Sequence, residues 1–338
     1  MMTVLYFSVV LLFSTVLAII RVDYPFQNSS LPWDERVNDL VSRLTLEEIQ
    51  LQLSKGGGWE GGGPAPAIPR LGIGPYQWWS NCGRGDVAAP GNATAFPQTI
   101  GLAASFSPDL SYRIAVATAN EVRAKHNYFI SHDIYSGRTG LSCFSPDVDV
   151  LRDPRWGRNQ ETHGEDPYMS GVQSQAYVRG LQGDHPRYVR VSAGCKHYAV
   201  YAGPENYPMS RFDFDPQVSM RDLRMTFLPQ FKMCIDAGSY SVMSSYNAFN
   251  GTPVCANKFL LTEVLRNEWN FTGYVLADAG AIENVINTYH YLNNSVDTVA
   301  ACVNAGCNIE VSLGAKVPVH VSGYVQMCSS VTNKQRQC

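Results

Sequence analysis

The chain has 338 residues, of which 45% are hydrophobic and 16% charged, and its formal net charge at pH 7 is -3. That length allows one large domain or two ordinary ones with a sizeable core. The slightly negative balance, with no basic cluster, leaves no electrostatic footprint for nucleic acid.

Val4 to Ile20 is apolar except for Ser8, Ser14 and Thr15, and Arg21 follows. The run is short for a membrane span and suits a signal peptide over residues 1–20, with Val16-Leu17-Ala18 as a cleavage site. An uncleaved anchor is the alternative, because no Lys or Arg precedes the run. A secreted, extracellular protein is therefore expected, and Asn-x-Ser/Thr sequons at Asn28, Asn92, Asn250, Asn270 and Asn293 agree with it. There are 9 cysteines, an odd number that leaves at least one without an intrachain partner. Cys302 and Cys307 are close in sequence, as are Cys234 and Cys255. The connectivity stays open, with buried free thiols as the alternative.

Trp33 to Leu44 carries Val37, Leu40, Val41 and Leu44 on one face of a helix. Thr45-x-x-Glu48 forms a capping box for the next helix. Gly56 to Pro69 is a Gly/Pro-rich loop without Gly-Lys-Ser/Thr, so it is not a phosphate loop. Ser107-Pro108 opens a helix to about Lys125. Thr139–Phe144 is a strand, and the helix opened by Asp166-Pro167 closes at Gly183. Tyr188–Ala193 is a strand, and Ser219-x-x-Asp222 opens a long helix ending near Gly238. Strands at Tyr240–Ser244, Gly273–Ala277 and Cys307–Val311 alternate with helices at Phe259–Trp269, Ala281–Tyr289 and Val296–Asn304. This α/β alternation predicts a parallel sheet closed as a (β/α)8 TIM-like barrel over residues 21–315. About six strands are countable, short of the eight of an ideal barrel. Ser312 to Cys338 shows no helical period, so the barrel is expected to be truncated at its last helix, with an atypical tail over 316–338.

Polar residues recur where these strands end, on the rim where parallel α/β enzymes gather catalytic groups. Asp153-Pro-Arg-Trp-Gly-Arg158 follows Asp147-Val-Asp-Val150. Cys195-Lys196-His197-Tyr198 follows the Tyr188–Ala193 strand, Ser245-Tyr246-Asn247 follows Tyr240–Ser244, and Asp278 ends Gly273–Ala277. Taken alone, Asp278 is equally a cap for the helix at Ala281–Tyr289. Arg158 could equally pair with Glu161 or Glu165. A Cys195–His197 thiol–imidazole pair is a third reading, because residues i and i+2 of a strand share a face. No metal-ligand spacing such as His-Glu-x-x-His occurs, and neither a metal nor a cofactor is expected.

Asp153-Pro-Arg-Trp-Gly-Arg-Asn-Gln-Glu-Thr-His-Gly-Glu-Asp-Pro167, Lys196-His-Tyr198, Met243-Ser-Ser-Tyr-Asn247, Asn250-Gly-Thr-Pro-Val-Cys-Ala256 and Gly273-Tyr-Val-Leu-Ala-Asp278 resemble the N-terminal domain of glycoside hydrolase family 3. Tyr76-Gln-Trp-Trp-Ser80, Phe96-Pro-Gln98 and the Cys255 segment look most like its secreted β-xylosidase branch. The resemblance implies a retaining β-glycosidase, of β-xylosidase or β-glucosidase type, acting on terminal β-linked sugars of oligo- or polysaccharides. It implies Asp278 as nucleophile and Arg158, Lys196 and His197 as ligands of sugar hydroxyls. It places Tyr246 beside the nucleophile and Met243 in the pocket wall, and Asp86 is a further candidate there. Asn81 stands where the branch carries a Glu, which keeps an acceptor oxygen but loses the charge. Asn308 likewise stands where an acidic residue is common. In most of the family the acid/base Glu comes from a second, C-terminal domain. The alternative reading is therefore a catalytically impaired sugar-binding chain or a fragment without that domain. The expected partner is a carbohydrate; oligomeric state is not legible.

Overall fold

Among the described residues, five parallel strands carry the fold. They are β1 (Trp79–Ser80), β2 (Ser142–Cys143), β3 (Ser192–Tyr198), β4 (Ser241–Ser244) and, after a small antiparallel hairpin of β5 (Ala248–Phe249) and β6 (Thr252–Pro253), β7 (Tyr274–Ala277). Their order in the sheet is β1-β2-β3-β4-β7, and Ile309 extends it by a parallel bridge to Leu276. This computed structural model describes residues 24–54, 63–203 and 205–311. The signal segment, the first part of the Gly56–Pro69 loop and the tail at 316–338, with the truncated last helix, lie outside the described residues. The chain divides between Leu44 and Thr45 into two units. The first holds the expected helix, Trp33–Arg43, in which Arg43 grips Asp39 at 2.6 Å. The second holds the sheet and the helices around it.

The sheet is curled, and one side chain measures the curl. The Tyr274 hydroxyl on β7 lies 2.6 Å from Ser142 Oγ on β2 and 3.0 Å from Ser192 Oγ on β3. Three strand spacings separate β7 from β2, about 14 Å in a flat sheet. Only a concave sheet lets a tyrosine reach across. Trp79, Phe144, Met243, Leu276, Ile309 and Val311 pack together inside this curl. Val242, Val275 and Ala277, the alternate residues, face a larger cluster that includes helix residues such as Val178, Leu181 and Phe231. The period of two therefore separates barrel interior from sheet–helix core.

Most predicted elements are present with shifted ends. The Thr45 box forms, with Glu48 N–H donating to Thr45 Oγ1 at 3.2 Å and Thr45 N–H to Glu48 Oε2 at 2.8 Å. The helix opened by Ser107 runs on to Ser131, and Asp166 caps Pro167–Gln182. The helix expected from Ser219 to Gly238 is broken into Met220–Asp222, wide π-type turns over Leu223–Phe227, and Pro229–Asp236. Pro229 lacks the N–H that would continue the ladder. The strand placed at Tyr188–Ala193 begins at Ser192 and runs through Lys196 and His197, which are thus within it. At Gly273 an added Cβ would collide with the Tyr240 carbonyl, so the entry to β7 demands glycine.

The described cysteines follow neither sequence neighbourhood. Cys82 and Cys143 form a disulfide, while Cys195, Cys234, Cys255, Cys302 and Cys307 are buried free thiols. All five sequon asparagines are exposed. Asn250 is already engaged through its amide by the backbone of Val218.

Candidate active site

The C-terminal ends of the strands open into a cleft of about 1000 Å³. Alternation places Tyr274, Leu276 and Asp278 on one face, so the residue after β7 turns its carboxylate into the mouth of the curl. Asp278 N–H donates to the Ser244 carbonyl at 3.0 Å, and Ala279 N–H donates to Asp278 Oδ1 at 2.8 Å. Asp278 Oδ2 is buried with no hydrogen-bond partner among the described residues. The helix behind it is capped by Gly280, whose φ of 82° suits glycine, so Asp278 is not its N-cap.

Lys196 and His197 both reach the cleft. Strict alternation would put consecutive strand residues on opposite faces. A register shift between Cys195 and Tyr198 removes that restriction, as bulges near active sites do. The same shift leaves Cys195 in the sheet–helix core beside Ser239, at 3.6 Å, while the His197 ring turns to the cleft, so no thiol–imidazole pair forms.

Charged groups encircle Asp278. His197 Nε2 lies 3.6 Å from Asp278 Oδ2 and 3.1 Å from Arg158 Nη1. Arg158 is aimed by Glu161, donating from Nε and Nη2 at 2.7 Å each, and Lys196 Nζ is 3.7 Å from the same carboxylate. Burial opposes the charge of Arg158, but the Glu161 hydrogen bonds together with the charges of Glu161 and Asp147 outweigh it and hold the guanidinium protonated. Burial also works to raise Glu161, yet the Arg158 hydrogen bonds and the Lys196 charge bring its carboxyl down to about 2. Burial pushes Asp278 above the ordinary carboxylate range, against the pull of Arg158 and Lys196. Burial, then the Asp278 charge, raises the Tyr246 phenol far above its usual range, so it remains a hydroxyl. Burial and the nearby cations keep His197 neutral.

Of the expected site residues, Arg158, Lys196, His197, Tyr246, Met243, Asn81 and Asp278 line this one cleft. Asp86 does not line it. Its carboxylate is tied to Lys125 Nζ at 3.0 Å and Ser80 Oγ at 3.1 Å, which makes it a buried tether. Sequence reasoning did not assign Arg211, Phe212 and Trp79 to the site, and it gave Glu205 no role. The Arg211 guanidinium lies 4.9 Å from the Phe212 ring centroid and 5.5 Å from that of Tyr246, and its Nε is 3.5 Å from Glu205 Oε1. The Asp147-x-Asp149 alternation was visible, but not its target. Asp147, Asp149 and His197 are the one group of described residues whose potential ligand atoms all lie within 4.8 Å of one another. The 2.8 Å from Asp149 Oδ2 to His197 Nδ1 is a hydrogen-bond distance, and Arg158 and Lys196 place positive charge beside it. The triad suits protons better than a metal ion.

The arrangement presents a buried carboxyl group with a bare oxygen, cations around it, and aromatic walls. Comparison with known proteins agrees. The family model "Glycosyl hydrolase family 3 N terminal domain" matches residues 69–335. Probable beta-D-xylosidase 7 of Arabidopsis thaliana is 38% identical over 321 residues, covering 90% of this chain and 40% of that protein. A xylan 1,4-beta-xylosidase of Xylanibacter ruminicola is 40% identical over 292 residues, covering 85% of this chain and 32% of its own length. Among solved structures, a GH3 exo-beta-xylosidase in complex with a xylobiose aziridine probe superposes with a TM-score of 0.79 at 31% identity, covering 90% of this chain and 38% of that one. The chain thus spans about a third to two fifths of the length of the curated relatives it matches.

Proposed function

The chain belongs to glycosyl hydrolase family 3, and from that membership and the cleft we propose that it is a retaining β-glycosidase taking terminal β-linked xylose from oligo- or polysaccharides. The observation that carries this reading is Asp278, with an unpartnered oxygen facing a cleft ringed by Arg158, Lys196 and His197. Asp278 Oδ2 attacks the anomeric carbon as the bond to the leaving oxygen breaks, and water then releases the sugar from the ester. Lys196 and Arg158 hold ring hydroxyls and favour the ionised nucleophile. The Tyr246 hydroxyl lines the cleft beside it, uncharged. Among the described carboxylates, Glu161 does not suit the role of acid, because it is held ionised to about pH 2. Glu205 faces Arg211. The relatives named as xylosidases favour xylose over glucose as the sugar. The apolar segment at Val4–Ile20, the five exposed sequons and the Cys82–Cys143 disulfide support secretion as a glycoprotein.

The test is covalent trapping. The chain is incubated with a 2-fluoro aryl β-xyloside bearing a dinitrophenyl leaving group, and in parallel with the β-glucoside, then digested and analysed by mass spectrometry. A fluoroxylosyl adduct on the Asp278 peptide is expected, and Asp278→Asn removes it. An adduct elsewhere, or none, refutes the assignment. Faster labelling by the glucoside refutes the xylose preference.

A further inference from the structure

We propose that Asp149 is a positioning residue that fixes the tautomer of His197 and thereby keeps Asp278 Oδ2 free to attack. The proposal deepens the glycosidase reading and rests on it. The sheet places the parts. Val148 N–H donates to the Lys196 carbonyl at 2.8 Å and Lys196 N–H to the Pro146 carbonyl at 3.1 Å, so the 147–149 segment runs alongside the end of β3. Val148 faces the sheet–helix core. Its neighbours Asp147 and Asp149 therefore face the other way, toward His197.

Asp149 Oδ2 accepts twice from His197, from ring Nδ1 at 2.8 Å and from the backbone N–H at 3.3 Å. Asp147 backs it, accepting the Asp149 N–H at 3.1 Å on Oδ1. A ring that donates from Nδ1 has an acceptor at Nε2. Arg158 Nη1, 3.1 Å away, supplies the donor that this tautomer needs. The other tautomer would set Nε2–H against the Arg158 donor and an unprotonated Nδ1 against Asp149 Oδ2, an oxygen already accepting the His197 backbone N–H. It would also set an N–H instead of a lone pair 3.6 Å from Asp278 Oδ2, and that proton would draw on the oxygen electrostatically. One carboxylate thus sets a chain of donors and acceptors that ends with an unpaired oxygen on Asp278. The ring itself is buried, so no solvent can supply an alternative partner.

The experiment uses the full chain. Asp149→Ala removes the acceptor; Asp149→Asn retains an oxygen in the same place. The rate of Asp278 labelling by the 2-fluoro aryl β-xyloside should fall by about 10- to 100-fold in the alanine variant, the usual scale for losing such a partner, with partial recovery in asparagine. The fall should lie in kcat more than in KM for an aryl β-xyloside, since Arg158 and Lys196, which hold the ring hydroxyls, keep their Glu161 anchor. Imidazole ¹⁵N NMR of the unaltered chain should show His197 protonated on Nδ1 and not on Nε2. Labelling of the alanine variant at the unaltered rate overturns the proposal, and so does an Nε2–H tautomer in the unaltered chain. The NMR result decides even if the variants do not fold. If the unaltered chain is never labelled, the glycosidase reading itself falls; labelling of the unaltered chain together with undiminished labelling of Asp149→Ala removes only the role of Asp149.

Discussion

Replacing Glu161 by Gln should cost stability and sugar affinity together, and the first cost can be worked from the structure. The Glu161 carboxyl is brought from 4.5 to about 2, chiefly by its two hydrogen bonds from Arg158 against the opposing effect of burial. At about 1.4 kcal/mol per unit, that displacement corresponds to about 3 kcal/mol. The side chain is 39% exposed, however, so solvent screening takes roughly half, leaving about 1.5 kcal/mol. A depressed carboxylate contributes this stability above its unfolded value and loses it as pH falls toward the folded one. The gap between the unaltered chain and the Glu161→Gln variant should therefore be full at pH 6.5 and shrink to about 1 kcal/mol at pH 3.5. Urea unfolding at the two pH values measures both. KM for an aryl β-xyloside should rise at pH 6.5, because Arg158 loses the fork that aims it. A gap below about 0.5 kcal/mol at pH 6.5, or one that does not narrow on acidification, refutes the argument.

With an aryl xyloside whose leaving group needs no proton, the acid limb of kcat/KM should report Asp278. Burial raises that carboxyl, so the limb should lie above the ordinary carboxylate range. Lys196→Met removes a charge that lowers it and should move the limb further up; a limb that stays put removes Lys196 from this role. Tyr274→Phe takes away both struts to Ser142 and Ser192 and should cost about 1–3 kcal/mol in calorimetry, two hydrogen bonds at the usual net value. No measurable change would mean that the curl does not depend on them. Reducing the Cys82–Cys143 disulfide, which spans 61 residues, should lower stability by about 4 kcal/mol if chain entropy dominates. A loss under about 1 kcal/mol would place the effect in the folded wall instead.

Asp278, Lys196, His197 and Tyr246 were legible because each follows or interrupts an apolar run at a strand end, where a parallel fold gathers its chemistry, and Arg158 through the motif it shares with the family. What surrounds them was less so. β1 has two residues, too few for any period, and was known only as part of a family motif. β3 was cut short because buried polar residues inside a strand look like its end. The bulge that turns both Lys196 and His197 into the cleft has no mark in the sequence, and it also defeats the i, i+2 argument for Cys195. Asp86 looked like a site residue because its sequence carries no sign of Lys125, which lies 39 positions away and neutralises it. Arg211 and Glu205 lie on a loop whose path is set by tertiary packing, not by local pattern.

Gly280, two residues past Asp278, donates its N–H to the carbonyl of Val311 at 2.8 Å. Val311 also lines the cleft. The turn that carries Asp278 is thus bolted to the segment that follows the Ile309 bridge. A force applied to the chain beyond Val311 has a short lever arm to the attacking oxygen. A slip of that segment by one residue, about 3.3 Å, would break the bolt and let the turn swing. The aim of the Asp278 carboxyl is in this sense borrowed from a segment that joins the sheet late, and a change made there should register at that carboxyl before it registers as altered fold.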